Sequence, residues 1–379
     1  MPIMKYLLLF GAFEAFTFAL LLLFFKKQKF LPDKILALFF LLLSLTMSLA
    51  FMEGYNRENN YPYPFLLFTA PPFLLLHGPF LWFYIKSFTI REFRFKPIYL
   101  LHFLPFLAML AEHSIELFFL PAAEKIDIAS NEKFVHFLSY PVFMTLIVVS
   151  PLVYFSWGLL IIKKYNSHLK NYFSKLNDIN LNWLRILLIT SITFYFIVNG
   201  TFFVSLFKPF ESFYEMQFMS FAFSTIYVLF LGLYGHKQVN LFANHSIPFD
   251  LEQIVPEHSS QKNLDEPEKL FIENLLSSME KEKPFLNPDV NLATLSSALK
   301  TSPDRLSNTL NNNLNMNFYD FINHYRIEEF KKECRLEKNK NYTFIAIAYN
   351  CGFNSKATFN RVFKNATGLT PKEFKQSLN

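Results

Sequence analysis

The chain has 379 residues, a length that fits two or three domains. Hydrophobic residues make up 52% of it and charged residues only 17%, a composition that is rare for a soluble globular protein. The formal charge of +6 suits nucleic acid or anionic lipid as a partner, while two cysteines without CxxC spacing, Cys334 and Cys351, exclude a disulfide framework and a structural zinc site.

Seven apolar stretches in residues 1–235 predict membrane-spanning helices. The first, Tyr6–Phe25, is nearly unbroken and, at about 1.5 Å per residue, crosses a hydrocarbon core of about 30 Å. It is too long for a signal peptide and has no AxA-like cleavage site, so we expect it to be retained. The other six are roughly Lys34–Met52, Phe65–Ile85, Ile98–Leu120, Phe137–Ile162, Trp183–Phe207 and Phe213–Tyr234. Prolines interrupt the stretch at Phe65–Ile85, which membrane helices tolerate when neighbouring helices satisfy the freed carbonyls.

The lysines and arginines between these stretches predict the orientation of the chain, because cytoplasmic loops carry the excess of both. Alternate loops are rich in them: Lys26, Lys27, Lys29 and Lys34; Lys86, Arg91, Arg94 and Lys96; Lys163, Lys164, Lys170 and Lys175. The intervening loops hold few, and these are mixed with acids: Arg57, Lys125, Lys133 and Lys208. Seven spans with this bias place the N-terminus outside and the C-terminus in the cytoplasm.

Three polar residues inside the predicted spans, Glu14, His77 and Asn199, are candidates for sensing a signal. Ionisable groups inside a membrane are costly and often functional. The structural alternative is that each pairs with a neighbouring helix or faces a small pocket of water. The sequence names neither a small-molecule ligand nor a membrane signal.

Residues 236–266 predict a cytoplasmic linker, since apolar periodicity stops there and Asn, His, Ser, Pro, Gln and Glu dominate. A random coil of about thirty residues spans about 30 Å, enough to hold a following domain clear of the bilayer.

Residues 267–379 predict a helical domain that opens with a helix over Pro267–Glu280. A helix-turn-helix follows at about 291–314, in which Ser302 is a plausible N-cap and Pro303 the first helical residue. We expect its second helix to present polar residues outward: Asp304, Arg305, Asn308, Asn311 and Asn312. Asn can bind adenine, and Arg guanine, through paired hydrogen bonds.

Asn317–Leu336 predicts one longer helix. About twenty residues give about 30 Å, which is close to the repeat of about 34 Å between successive major grooves on one side of B-DNA. A helix of this length could set two reading helices into successive grooves.

A second helix-turn-helix is predicted at about 343–366. Phe344, Ile347, Ala348 and Cys351 follow the i, i+3, i+4, i+7 spacing of an amphipathic helix, and Gly352 permits the positive φ of a tight turn. Asn354 and Ser355 offer an N-cap to the next helix. The outer face of that helix is predicted to carry Ala357, Thr358, Arg361 and Lys364.

The ordered pattern Ile347-Ala348, Cys351-Gly352-Phe353, Phe359-x-Arg361-x-Phe363-Lys364 and Gly368-x-Thr370-Pro371 resembles the second helix-turn-helix of AraC/XylS-type transcription regulators. With the earlier pattern it covers roughly Lys283–Leu378, about a quarter of the chain. The resemblance implies two helix-turn-helix units joined by a helix, and control of transcription by binding promoter DNA. The positions that match the family's reading helices are Asp304, Ser307, Asn308, Lys356, Ala357, Thr358 and Arg361. The other residues predicted to bind DNA are Arg305, Asn312, Ser355 and Lys364.

The chain departs from the common family pattern in two places. The first turn, Lys300-Thr301-Ser302, has no glycine, and the helix after it is rich in asparagine and poor in cations. Whether that unit reads bases or positions the DNA backbone stays open. The apolar half replaces a soluble ligand-binding part, so the chain resembles the membrane-anchored members.

The sequence therefore predicts an all-α protein, a seven-helix transmembrane bundle followed by a cytoplasmic double helix-turn-helix domain. The function expected is a membrane-embedded one-component transcription regulator of a bacterial inner membrane, acting with promoter DNA, the lipid bilayer and RNA polymerase, with a homodimer as one option. No catalytic motif, cofactor site or metal site is expected. The alternatives are a membrane transporter or receptor whose C-terminal domain is a regulatory or protein-interaction module.

Overall fold

The computed structural model describes residues 2–26, 30–90, 93–131, 133–176, 179–205, 223–235 and 265–377, and the regular elements in these ranges are all helical. Contacts divide the chain into two compact units. We call residues 1–163 with 181–253 the apolar unit, and residues 164–180 with 254–379 the C-terminal unit.

In chain order, the helices of the apolar unit are α1 Pro2–Leu20, α2 Leu31–Glu58, α3 Pro71–Thr89, α4 Leu104–His113, α5 Ala122–Ser130, α6 Tyr140–Tyr172, α7 Asn182–Ser205 and α8 Phe223–Gly235. Most of these helices overlap the predicted apolar stretches, and α5 lies between two of them. Turns of π-helix extend α1 through Leu21–Phe25 and α4 through Ser114–Phe118. The last turns of α6 belong to the C-terminal unit.

Four stretches of helix among the described residues are long and apolar enough to cross a membrane: Tyr6–Phe25, Leu31–Glu58, Pro97–Phe118 and Tyr140–Tyr172. Large apolar side chains such as Phe13 and Phe24 stand exposed on the first of them, as lipid contact requires. This is consistent with membrane association. The seven-span count stays a prediction, and the span at Phe213–Tyr234 lies within the described residues only from Phe223 onward.

The third predicted span differs from the structure in its bounds. The sequence predicts Phe65–Ile85, whereas α3 runs from Pro71 to Thr89 after a short 3₁₀ turn at Pro64–Leu66. The reason is that Pro71 and Pro72 occupy the first helical turn, where the missing N–H costs no intrahelical bond. Only Pro79 lies inside the helix.

The C-terminal unit adds seven short helices to the end of α6 within the described residues. These are α9 Glu266–Lys281, α10 Leu292–Ala298, α11 Pro303–Asn308, α12 Phe318–Glu333, α13 Phe344–Asn350, α14 Lys356–Thr367 and α15 Pro371–Ser377. The predicted linker, 236–266, lies outside the described residues apart from its last two positions.

Helix α12 supplies both hydrophobic cores of this unit. Its first half puts Phe318, Phe321 and Ile322 among the leucines of α10 and α11. Its second half puts Ile327 and Phe330 among the apolar residues of α13 and α14. The single helix α12 therefore packs against both helix pairs, α10 with α11 and α13 with α14.

The predicted length of this joining helix is wrong by about one turn. Its α-helix ends at Glu333 rather than Leu336, so its sixteen residues span about 24 Å rather than about 30 Å. The chain then turns through a short 3₁₀ segment, Glu337–Asn339, whose Asn339 donates its amide N–H to the Glu333 carbonyl at 2.9 Å. This side chain satisfies a carbonyl at the helix end and allows the chain to leave.

Candidate DNA-binding surface

The second helix-turn-helix, HTH2, consists of α13, the turn 351–355 and α14. Thr343 Oγ1 accepts the Ala346 N–H at 3.2 Å, and Ser355 Oγ accepts the Thr358 N–H at 3.4 Å, so a side-chain cap starts each helix. Gly368 ends α14 with a φ of 76°, in the left-handed region that favours glycine. These local signals position α14 as the predicted sequence pattern requires.

Gly352 brings the HTH2 turn against the loop before α10 and against α12. Its φ is 91°, and a Cβ at this position would lie 2.3 Å from the Phe285 carbonyl oxygen. Arg326 of α12 fills the same corner: its Nε donates to the Phe285 oxygen at 2.8 Å and its Nη2 to the Asn287 oxygen at 2.9 Å. Only glycine combines this turn with so close an approach.

The outer face of α14 carries exposed Lys356, Ala357, Arg361 and Lys364. Thr358 was predicted on this face, but the structure leaves only 8% of it exposed. The reason is the helical repeat: Thr358 and Val362 are four residues apart, so Thr358 lies beside the apolar edge. Its backbone N–H, rather than an outward side chain, is the group bound to Ser355.

Arg361 is oriented by the neighbouring helix α12. Its Nη2 donates to the Tyr319 hydroxyl oxygen at 2.9 Å, and Tyr319 is buried. Burial raises the pKa of Tyr319, although the charge of Arg361 opposes that rise. The tyrosine therefore stays neutral at physiological pH and holds the guanidinium without cancelling its positive charge.

A groove between α13, α14 and α15 gathers cations from two helices. It is lined by Lys356, Arg361, Lys364, Lys372 and Lys375 and contains none of the acidic residues of the described chain. Lys372 and Lys375 are not among the DNA-binding residues predicted from the sequence. The signal that could have found them is the Thr370-Pro371-x-Glu373 start of α15, which is a capping box.

The first helix-turn-helix, HTH1, consists of α10, the turn 299–302 and α11. Asn291 accepts the Thr294 N–H at 3.0 Å, and Ser302 accepts the Arg305 N–H at 3.2 Å. The turn has no glycine, and Lys300 takes the left-handed conformation with a φ of 53°. The α-helical part ends at Asn308, and a π turn over Thr309–Asn313 replaces the rest of the predicted helix.

HTH1 presents a less positive surface than HTH2. Asp304, Asn308 and Asn312 are exposed, and Ser307 is half-buried and accepts the Asn311 side-chain N–H at 3.2 Å. Arg305 is engaged with α9: it donates to Glu268 at 3.3 Å and lies over the Phe271 ring at 4.5 Å. Its charge is therefore balanced within the protein.

The signal-sensing candidates Glu14, His77 and Asn199 belong to three different helices of the apolar unit, α1, α3 and α7. His77 Nε2 is 3.0 Å from Thr46 Oγ1 on α2, which is the pairing with a neighbouring helix given above as the structural alternative. Glu14 has a buried carboxylate oxygen, Oε2, with no hydrogen-bond partner in the described part of the chain. The side chain of Asn199 lies outside the described residues.

The comparisons with known proteins address the C-terminal residues. Residues 295–377 match the family described as "Helix-turn-helix domain". These residues form an AraC-type helix-turn-helix domain. Over 87 residues, 23% of this chain, the sequence is 34% identical to an uncharacterised HTH-type transcriptional regulator of Staphylococcus aureus (strain COL). The match covers 11% of that protein's length. No solved structure matches the chain.

The family match supports a helix-turn-helix domain of the DNA-binding type at the C-terminal end of the chain. HTH1 and HTH2 both fall largely within the matched residues, and α15 with its two lysines is also included.

Proposed function

We propose that the protein is a membrane-embedded one-component transcription regulator. The apolar unit receives a signal in or across a bacterial inner membrane, and the C-terminal domain binds promoter DNA in the cytoplasm. HTH2 supplies most of the phosphate affinity and HTH1 adds polar contacts to bases. RNA polymerase is the expected downstream partner, and a second copy of the chain is one way to extend the DNA site.

The observation that carries this proposal is the cationic groove of HTH2 on a chain that also holds long apolar helices. Lys356, Arg361 and Lys364 project from the helix that follows the turn, where a helix-turn-helix contacts base edges and phosphates. From Pro284 onward the chain has 13 Lys and Arg against 8 Asp and Glu. Such an excess gives sequence-independent affinity that falls with salt, and the exposed polar side chains add selectivity.

The test is selection from a library of duplexes by the full chain in lipid nanodiscs at two salt concentrations. The proposal expects enrichment of two short sequence blocks about one helical turn apart, since each helix-turn-helix reads one groove. Enrichment of no sequence, with binding that depends on salt alone, would contradict it.

The matched variant for this test is Arg361→Ala. Because Arg361 is the exposed arginine on the α14 face, its loss should weaken specific binding by about 1–3 kcal/mol and relax selectivity at one position. The control is Lys269→Ala, which removes an equal charge from α9, outside the groove. If both variants bind alike, Arg361 does not read DNA and the domain fits the protein-interaction alternative better.

Glu14 favours a ligand or ion site in the apolar unit, because a buried carboxylate oxygen without a hydrogen-bond partner is expensive. Within the proposed function this site binds the signal. Solute flux into liposomes that contain the chain, lost in Glu14→Gln, would instead favour a transporter. Regulated DNA binding without flux would favour the regulator.

A further inference from the structure

The segment that follows the last turn of α6 packs within the C-terminal unit. Phe173 and Asn291 form an isolated antiparallel β-bridge. Two positions along, Lys175 pairs with Asp289 at 3.2 Å. Between the two pairs, Ser174 Oγ donates to the Val290 carbonyl oxygen at 2.5 Å. Residues 289–291, which lead into HTH1, are therefore paired with residues 173–175.

The centre of this pairing is buried and polar. Ser174 is 2% exposed, and Arg326, also 2% exposed, lies with its Nη2 3.4 Å from Ser174 Oγ. The same guanidinium holds the carbonyls of Phe285 and Asn287. Buried polar groups are stable only when they are hydrogen-bonded. The site that accepts Ser174 is therefore formed by residues that also hold the domain together.

The residues just before Ser174 lie beside side chains predicted to bind DNA. Tyr172 packs against the HTH1 core, where burial, and after it the charge of Asp304 on α11, raises the pKa of its hydroxyl. The Lys170 ammonium lies 5.8 Å from the centre of the Tyr319 ring, the residue whose hydroxyl holds Arg361 of α14. The segment is therefore close to predicted contact residues of both HTH1 and HTH2.

The charges of the segment indicate that it competes with DNA for the domain and does not help the domain to bind DNA. Lys175 is already paired with Asp289, and Lys170 faces the ring that also holds Arg361, so these two cations are engaged with the protein. The attraction between the Lys170 ammonium and the Tyr319 ring helps to hold the segment in place.

We propose that residues Lys170–Lys175 are a docking segment that competes with DNA for the C-terminal domain. The proposal rests on the function proposed above and deepens it by naming its regulation. In the docked state the segment covers the surface of the domain between Asp304 and Arg361. Release of the segment exposes this surface to the duplex. Because the segment continues helix α6 without a break as far as Tyr172, a displacement of α6 is the natural way to release it.

The β-bridge between Phe173 and Asn291 provides a direct test by disulfide trapping. Directly opposed residues of an antiparallel pair have Cα atoms about 4.5–5.5 Å apart, within the range that a disulfide spans. Phe173→Cys with Asn291→Cys, the bridged pair, should therefore cross-link in the full chain in nanodiscs after copper-phenanthroline oxidation. Each single variant is a control, since each keeps Cys334 and Cys351 and has only one new thiol. Absence of the cross-link in the double variant would overturn the docking.

The cross-link then tests the competition. The oxidised double variant should bind the enriched duplex at least about tenfold more weakly than the reduced form, because the binding-competent fraction limits the apparent affinity. Added duplex should slow cross-linking, as reciprocal linkage requires. Equal binding by oxidised and reduced protein would overturn the competition. If neither form binds any duplex while the cross-link still forms, the proposed function itself has failed.

A second variant separates competition from assistance. Lys170→Met removes the cation beside Tyr319 and should raise the affinity for DNA several-fold, with the salt dependence unchanged. If the segment instead lends Lys170 to a phosphate, affinity falls and the salt slope decreases by about one. That result would overturn the competition.

Discussion

Arg326 shows how one side chain can fix the geometry of a whole domain. It is buried on α12 and reaches the loop before α10, the HTH2 turn beside Gly352, and Ser174 of the docking segment. Burial lowers its pKa to about 10, which still leaves it charged at neutral pH. Its planar fork can donate to several carbonyls at once, which a lysine ammonium on a flexible stem does less well.

We therefore expect Arg326→Lys to destabilise the C-terminal unit by about 2 kcal/mol, since hydrogen bonds from a charged donor contribute about 1.5–3 kcal/mol each and the fork is lost. Faster amide hydrogen exchange in α12 and α13 of the full chain measures this. The control is Arg335→Lys, an exposed residue two positions after the end of α12, which should stay within about 0.5 kcal/mol. Unchanged exchange in Arg326→Lys would show that the fork is dispensable.

At the level of single residues, the sequence predicted which residues form the site better than it predicted which way their side chains face. Gly352 could be placed because only glycine suits that turn, whereas Lys300 takes the same left-handed conformation without any such signal. Thr358 was placed on the wrong side because it borders the apolar stripe. The partner of Arg305 is Glu268, 37 residues earlier, and no local spacing shows such a contact.

At the scale of elements, α15 depends on a capping box that also titrates. Glu373 Oε2 accepts the Thr370 N–H at 2.6 Å, and Thr370 Oγ1 accepts the Glu373 N–H at 3.3 Å. The first of these bonds is the main reason that the pKa of Glu373 is lowered from its ordinary value of 4.5. The cap fixes the start of α15, and α15 places Lys372 and Lys375 in the groove.

The sign of the pH dependence follows from this lowered pKa. A carboxyl whose pKa is lower in the folded state stabilises α15 above the unfolded value and loses that contribution as pH falls through the folded value. We expect α15 to fray below about pH 4.5, observed as loss of its amide protection with the Glu373 carboxyl carbon titrating in parallel. In Glu373→Gln this step should be absent. A Glu373 carboxyl that titrates at or above 4.5 would contradict the capping bond.

Element bounds were predictable wherever a cap or a proline marks them. Ser302, Thr343 and Ser355 begin helices in the structure as their residue types suggest. The end of α12 carries no such mark, because Asn339 closes it from six residues beyond Glu333. The docking segment was harder still: its pairing joins residues more than a hundred positions apart, so it depends on tertiary packing alone.

At the scale of the whole molecule, the proposed function requires a defined topology. Helix α6 has 33 residues, about 50 Å, whereas about 20 residues cross a bilayer. The surplus at its end carries Lys163, Lys164 and Lys170, which the positive-inside rule assigns to the cytoplasm together with the C-terminus. Docking and DNA binding both need this assignment to hold.

Cysteine labelling in intact cells tests whether the end of α6 and the C-terminus lie in the cytoplasm. Ser130→Cys at the end of α5 should react with a membrane-impermeant maleimide, whereas Ser167→Cys near the end of α6 and Gln376→Cys in α15 should react only after permeabilisation; all three positions are exposed. The native thiols are a suitable background, because burial raises the pKa of Cys334 and of Cys351 to about 12 and leaves little reactive thiolate. Labelling of Gln376→Cys from outside would place the helix-turn-helix domain away from DNA. Labelling of Ser130→Cys and Ser167→Cys from the same side would show that α6 does not cross the bilayer, which removes the proposed route from the membrane to the docking segment.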